Sequence, residues 1–451
     1  MSLLLVCASA QAQQYRVDSI VVEGIKKTKA LVVTRQMTFT TGDTLDRDDF
    51  EEVLKINRSN IYNLGLFTSV ELVPELGLNS LTMHVQVQER WYVWPTPELN
   101  VLERTFGEWW QDKDLDRLVY GLGVDWSNFT GWNDRLSVYA QGGYSQVLAA
   151  SYYRPFLFPK AQIDGSFALR FSSDKEIGYS TEQGFLQLLR LQNSRMRQTY
   201  LGRATFSKRL SARKQIQFSV GYNHYNINDS INFVNTDYLP GIGSVAHYPS
   251  IGIAYVNDQR DIRSFPLEGH KVSGSLRQIG LPGIGTSRFA KLSLSFSHHI
   301  PIGRRWNFAY GGQQFVLLGK RTPYFEKYFI GFGSFLRGYE PYVIDGSFIN
   351  LTKAEWKFGI IPYKMAHLKW LPFPRFRDFP MGLYLSTYAD AGYVTDWTFN
   401  NQDNTLKNKM LLGYGVGLNF VTIYDFMMRI EYSFNNLGGR GLYLSSIVSI
   451  Q

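Results

Sequence analysis

Few residues of this chain stand where chemistry could be done. The segment GFGSFLRGYEPYVIDG, Gly331 to Gly346, sets one arginine, Arg337, among four glycines and flanking aromatics. A guanidinium in that setting neither attacks nor transfers a group. What it can do is fork onto a carboxylate through two parallel hydrogen bonds, which fixes position as well as charge. The glycines let the chain turn sharply where side chains would crowd. GYGVGLNF, Gly413 to Phe420, has the look of a nucleotide loop, but strand residues flank it. A dinucleotide site needs a strand–turn–helix, so strand glycines are the better reading. His298 and His299 are adjacent, and on a strand they face opposite ways, which makes a poor metal pair. No GxSxG, HExxH or CxxC occurs. No catalytic residue, no metal site and no nucleotide or other cofactor is therefore expected.

The elements that must position Arg337 follow from composition and alternation. The chain has 451 residues, 15% aromatic and only 19% charged, with 31 Phe, 28 Tyr and 40 Gly. After the first dozen residues no apolar run reaches the roughly 18 residues of a spanning helix. Polar and apolar residues instead alternate. AKLSLSFSHH puts Leu292, Leu294 and Phe296 on one face, with Lys291, Ser293 and Ser295 on the other. Further on, Met428, Ile430, Tyr432 and Phe434 oppose Arg429, Glu431 and Ser433. A soluble sandwich also alternates, but it needs a shared apolar core for all its strands. Apolar-out, polar-in strands with abundant aromatics fit a membrane β-barrel. At roughly 22 residues per strand with its connection, residues 98–451 make about 16 antiparallel strands. The net charge is +9. Lys and Arg are spread through short turns such as IGRRW and SARKQ, as solvated turn residues or as attraction for anionic headgroups. There is no basic stripe or module, so no nucleic acid is expected.

Residues 1–12 read as a secretory signal: a short apolar core ending in Ala10-Gln11-Ala12. It holds the only cysteine, Cys7; a lipoprotein reading is disfavoured by Val6. Residues 15–90 read as strand, helix, helix, strand, strand, a small α+β domain whose strand edges could accept an extended peptide. Residues 91–97, at the start of WYVWPTPEL, read as a junction at a membrane surface.

Several segments, in order, resemble one family. Residues 15–90, with EGIKKTKALVVTRQMTFTTGD and NLGLF, resemble a POTRA domain. WSNFTGWNDRLSV and NDQRDIRSFPLEGHKV resemble barrel hairpins of the BamA/TamA superfamily of outer-membrane assembly and secretion proteins. LRGY resembles that family's motif at the tip of a loop folded back into the barrel, and YADAG its strand motif with an inward Asp. The resemblance implies a lumen lock of Arg337, Gly338 and Tyr339 with carboxylates on the wall. Asp390, sharing a face with Tyr384, Ser386 and Tyr388, is one; Glu355, opposite Ala354, Trp356 and Phe358, is the second. The chain departs from the family in having room for one POTRA domain, no plug helix, no attached lipase and a final SIVSIQ without a terminal aromatic.

The function this implies is non-enzymatic. A Gram-negative outer-membrane barrel with a periplasmic POTRA domain would assist the insertion and assembly of proteins by lateral strand templating. The lateral seam would join the first strand, near Glu98–Arg104 and including Val101, to the last, near Arg440–Ser449 and including Leu444. Gly438, Gly439 and Gly441 would weaken the approach to it. A polypeptide secretion channel of the same superfamily and a passive porin are the alternatives. Expected partners are outer-membrane lipids and lipopolysaccharide, unfolded outer-membrane clients, and accessory periplasmic or lipoprotein subunits.

Overall fold

The computed structural model describes residues 14–77, 80–101, 117–191, 194–211, 213–239, 243–261, 265–319, 322–331, 334–367, 378–397, 404–421 and 427–445. The signal segment with Cys7, Arg104 and the terminal SIVSIQ lie outside them.

The first elements are β1 (Gln14–Glu23), α1 (Ala30–Thr34), β2 (Thr44–Asp46), α2 (Phe50–Tyr62), β3 (Phe67–Leu76) and β4 (Ser80–Glu89). The strands form a sheet in the order β2-β1-β4-β3, with β1 and β4 parallel and the other pairs antiparallel. Alternation along β4 turns Leu81, Met83 and Val85 into the core, where Val33 of α1 and Ile61 of α2 meet them. Asn57 is buried in α2 with its amide satisfied. Its Oδ1 accepts from the Thr38 N–H at 2.6 Å, and its Nδ2 donates to the Val53 carbonyl at 2.7 Å. Glu51 and Glu52 occupy the first turn of α2, where the helix dipole favours negative charge.

The wall of the barrel is a sixteen-stranded antiparallel sheet. Its strands begin with β5 (Val93–Val101), β6 (Leu118–Ser127), β7 (Arg135–Gly143), β8 (Ser145–Phe158) and β9 (Ile163–Asp174). A separate hairpin of β10 (Glu176–Glu182) and β11 (Phe185–Arg190) follows. The wall resumes with β12 (Arg197–Ser211), β13 (Lys214–Ile227), β14 (Val245–Asp258), β15 (Gly269–Leu281), β16 (Ile284–Ile302) and β17 (Trp306–Leu318). The small pair β18 (Tyr328–Ile330) and β19 (Ile344–Gly346) stands at the two ends of the Arg337 loop. The wall ends with β20 (Phe348–His367), β21 (Asp378–Thr395), β22 (Met410–Val421), β23 (Met427–Asn435) and β24 (Arg440–Ser445). Strands next to each other in sequence pair, and β17 pairs with β20 across the loop. The burial pattern is inverted relative to a soluble protein. Phe218, Ile253, Leu276 and Leu294 are exposed, while Ser297, Glu355, Lys357 and Asn419 are buried. That inversion is what a lipid-facing wall with a polar interior requires.

One boundary differs from the sequence reading. Residues 91–97 are not a junction: β5 starts at Val93, so Pro95 and Pro97 lie inside the first wall strand. The ladder to β6 runs through both prolines without a shift. Prolines of equal parity withhold their donors from one edge only, which a strand at the end of a sheet tolerates. At the other end, Gly438 and Gly439 belong to the turn between β23 and β24, and of the three glycines only Gly441 is in the last strand. Gly438 has φ +85°, the left-handed conformation a tight turn demands.

The loop between β6 and β7 grips the amino-terminal domain. Asn128 Nδ2 donates to Thr28 Oγ1 at 2.8 Å, and the Lys29 N–H donates to the Gly131 carbonyl at 2.9 Å. Thr28 Oγ1 itself donates to Glu89 at 2.6 Å. Lys27 Nζ lies 4.5 Å above the Trp126 ring.

One surface site of the amino-terminal sheet makes a pH-dependent prediction. His84, on β4, has Nδ1 2.9 Å from Glu23 Oε1 and Nε2 3.2 Å from Glu75 Oε2. The Glu23 hydrogen bond, then that of Glu75, raises the His84 pKa, and the His84 hydrogen bond lowers that of Glu23. The raised histidine stabilises the fold below its ordinary value of about 6.5, and this is lost as pH rises through its folded value. The depressed Glu23 stabilises above its ordinary value of about 4.3, and this is lost as pH falls through its folded value. The triad therefore contributes most between those two values. Expressed alone, residues 14–90 should fold as a soluble α+β unit in which the His84 ring, followed by NMR, titrates above its ordinary value and returns toward it in Glu23→Gln. An unshifted His84 in the folded wild-type segment rules the triad out.

Candidate functional site

The loop between β17 and β20 runs inside the wall because its own residues satisfy what it buries. Arg337 is 6% exposed. Its guanidinium forks onto Asp390 of β21: Nε donates to Oδ2 at 2.8 Å and Nη2 to Oδ1 at 2.6 Å. The same guanidinium lies 3.7 Å from the Tyr388 ring centroid. Nη1 is 3.4 Å from Glu431 Oε1 on β23 and 3.7 Å from Glu355 Oε2 on β20. The Glu355 contact is an attraction between charges and too long to be a hydrogen bond. Arg429, also on β23, reaches Glu355 at 3.8 Å and Glu431 at 3.6 Å. Two guanidiniums thus share three carboxylates across three wall strands.

Glycines allow the close approach. Gly338 has φ +86°, and a Cβ there would meet the Phe434 carbonyl oxygen at 2.6 Å. A Cβ on Gly413 of β22 would lie 1.8 Å from the Arg337 carbonyl oxygen. The loop backbone is therefore seated directly on the wall. Asn435 Nδ2 donates to the Gly338 carbonyl at 2.6 Å. Tyr339 is buried with Leu336, Ile349, Leu351 and Leu411, and its hydroxyl bonds Asn436.

A second charged cluster holds the ends of the loop. Lys327 Nζ is 3.2 Å from Asp345 and 2.7 Å from Asp396; Lys407 Nζ is 3.0 Å and 3.4 Å from the same two carboxylates. Ser347 Oγ donates to Asp396 at 2.6 Å. Lys327, Asp345 and Lys407 are buried, the Asp396 side chain is nearly so, and the signs alternate.

The structure brings Arg337, Gly338, Tyr339, Asp390 and Glu355 to one place. Arg429, Glu431 and Tyr388 belong with them and were not singled out from the sequence, although alternation along β21 and β23 put all three on the inward face. Lys327, Asp345, Asp396 and Lys407 were missed entirely. Of the seam residues, Val101 closes β5 opposite Leu118, and Leu444 lies in β24 opposite Ile430 with its side chain exposed. These strands stand at the two ends of the sheet order. Among the described residues no group of three or more His, Cys, Asp or Glu side chains could hold a metal ion. No helix among them is long and apolar enough to cross a membrane, which leaves crossing by strands open.

A sixteen-stranded wall that follows a small α+β domain is matched in known proteins. Residues 128–435 match the model of the Omp85 superfamily domain. The chain belongs to the Omp85 superfamily. Residues 15–90 match the POTRA model, a surface antigen variable number repeat. Among solved structures, BamA from Haemophilus ducreyi lacking POTRA domains 1–3 is similar at a TM-score of 0.61 and 14% identity, over 95% of this chain and 83% of that one. CdiB from Escherichia coli is similar at 0.56 and 14%, over 96% and 75%. CdiB from Acinetobacter baumannii is similar at 0.51 and 13%, over 96% and 73%. No curated protein sequence matches the chain. The superfamily resemblance read from the motifs is thus borne out, and at these identities the solved structures establish the fold alone.

Arg337→Ala takes the forked cation from Asp390 and leaves Glu355 and Glu431 with Arg429 as their ion-pair partner. The expected cost of leaving buried charge unpaired is about 3–5 kcal/mol. The Omp85 wall should stay folded while the loop loosens, so limited proteolysis should cut within 331–346 in the variant and not in wild type, and single-channel current should become more erratic. Equal protease resistance in both would show that Arg337 does not hold the loop.

Proposed function

We propose that this Omp85 protein is an outer-membrane barrel whose POTRA domain lies in the periplasm, and that it assists insertion and assembly of other outer-membrane proteins by strand templating at the seam between β5 and β24. No reaction is part of this reading. The observation that carries it is the first wall strand. Pro95 and Pro97 withhold donors from the edge of β5 that β6 does not use, so a ladder closing there lacks two hydrogen bonds. An opened seam would offer backbone groups that a client strand could satisfy. The POTRA strand edges would deliver extended segments of unfolded clients. Outer-membrane lipid and lipopolysaccharide would contact the outward wall, and accessory periplasmic or lipoprotein subunits would have the POTRA surface to dock on.

The second reading is a polypeptide secretion channel of the same superfamily. The likeness to two CdiB structures favours it. A passive porin is disfavoured by a loop seated inside the wall and held by two buried ion clusters.

Two measurements separate these readings. In a depletion strain, broad loss of many barrels supports assembly, whereas loss of one exported protein supports secretion. In the second, Cys7 is replaced by Ser, and cysteines are introduced near Val101 and Leu444 at Cα atoms about 5.5–6 Å apart. Oxidation should abolish assembly and reduction should restore it, with heat stability unchanged or raised. Full activity with the bridge quantitatively formed would exclude opening at this seam and return the argument to transport through the lumen.

A further inference from the structure

Two histidine pairs face each other across the outside of the wall, and one is built far more tightly than the other. His224 on β13 stands directly opposite His247 on β14. Their Nδ1 atoms are 3.1 Å apart, with ring centroids at 4.7 Å. Tyr222, on the same face of β13, brings its hydroxyl to 2.9 Å from the same His247 Nδ1. Alternation places all three outward: Phe218, Val220, Ile251 and Ile253 are exposed, while Tyr225 and Tyr248 are buried.

A neutral imidazole nitrogen carries one proton or one lone pair, so His247 Nδ1 has one in-plane bond to make and two partners for it. A cation bound between the three atoms removes that conflict. Two imidazole nitrogens each about 2.0–2.1 Å from a metal, at angles between square-planar and tetrahedral, lie about 2.9–3.4 Å apart. The observed 3.1 Å falls within that span. The ligand frame is rigid: the β13–β14 register is unbroken from Lys214 to Asn226, and the His247 N–H donates to Thr286 Oγ1 at 2.6 Å.

We propose that His224, His247 and Tyr222 hold a divalent transition-metal ion, zinc or copper, at the rim where β13 passes into β14. Imidazole and phenol ligands without a carboxylate suit these ions and disfavour calcium and magnesium, which take oxygen-rich sites. Under the orientation proposed above, this rim faces the cell exterior. His270 and His298 form the natural control. Their rings are 6.1 Å apart at 87°, and His298 Nδ1 is engaged by the Tyr310 hydroxyl at 3.2 Å.

The test is Cu²⁺ titration of the untagged full chain in detergent, read by electron paramagnetic resonance and calorimetry. Zn²⁺ serves as competitor. The first equivalent should show coupling to two nitrogens and be displaced by Zn²⁺. His224→Ala or His247→Ala should abolish that coupling and weaken first-equivalent binding by on the order of tenfold or more. Tyr222→Phe should keep two nitrogens and bind more weakly, and His270→Ala should behave as wild type. Heat-modifiable gel migration checks that each variant is folded, with His224→Gln and His247→Gln in reserve. Survival of the two-nitrogen signal in a folded His224 or His247 variant, its loss in His270→Ala, or the same weak binding in every variant overturns the proposal.

Discussion

The bidentate contact between Arg337 and Asp390 is the constraint on which the interior depends. A guanidinium at this depth is stable only if its charge is met and its donors are used. Asp390 takes two guanidinium donors, and Glu431 and Glu355 supply further negative charge from neighbouring strands. The demand propagates outward. It requires β21 to present an acid at that height, β22 to carry a glycine where the loop backbone presses on it, and β23 to set Arg429 beside Glu355 and Glu431. Tyr388 lies against the guanidinium face and its hydroxyl meets Ser433 at 2.5 Å, tying β21 to β23 across the glycine-rich β22. The alternating Lys–Asp square at the ends of the loop repeats the same logic with ammonium groups. The loop is therefore held at its tip by a planar fork and at its base by point charges.

Much of this was legible from period-two alternation. Parity along one strand was enough to put Asp390 and Glu355 inward, because a barrel wall has only two faces. It also put Arg429 and Glu431 inward. What it could not supply is the height of a residue relative to strands elsewhere in the sheet. That depends on register accumulated through hairpins whose lengths the sequence does not reveal. Lys327 and Lys407 lie outside the wall strands and carry no period, so they had no signal. The first strand was misplaced for a different reason. Proline normally argues against a strand, and only the knowledge that β5 stands at one end of the sheet order reverses that argument.

The wall also shows why composition was informative. A soluble domain of this length would hide its large side chains; here many Leu, Phe and Tyr line the outside, and Ser, Asn, Lys and Glu share the buried positions with clusters such as Tyr238, Tyr248 and Phe289. The POTRA domain keeps the ordinary arrangement, with Val17, Leu81 and Met83 inside. One chain thus contains both solvent regimes, and the change occurs within a few residues.

The grip of the β6–β7 loop on the POTRA domain gives that change a mechanical meaning. Only Arg90, Trp91 and Tyr92 separate β4 from β5, and Tyr92 is itself buried, its hydroxyl donating to the Leu66 carbonyl at 3.2 Å. There is no slack between the central strand of the POTRA sheet and the first strand of the wall, and Asn128 and Gly131 add a second attachment beside it. A tug on the POTRA domain cannot be absorbed by a tether. It acts as torque on the β5–β7 edge, with β4 as the lever arm and the Thr28–Asn128 bond as one of its two bearings.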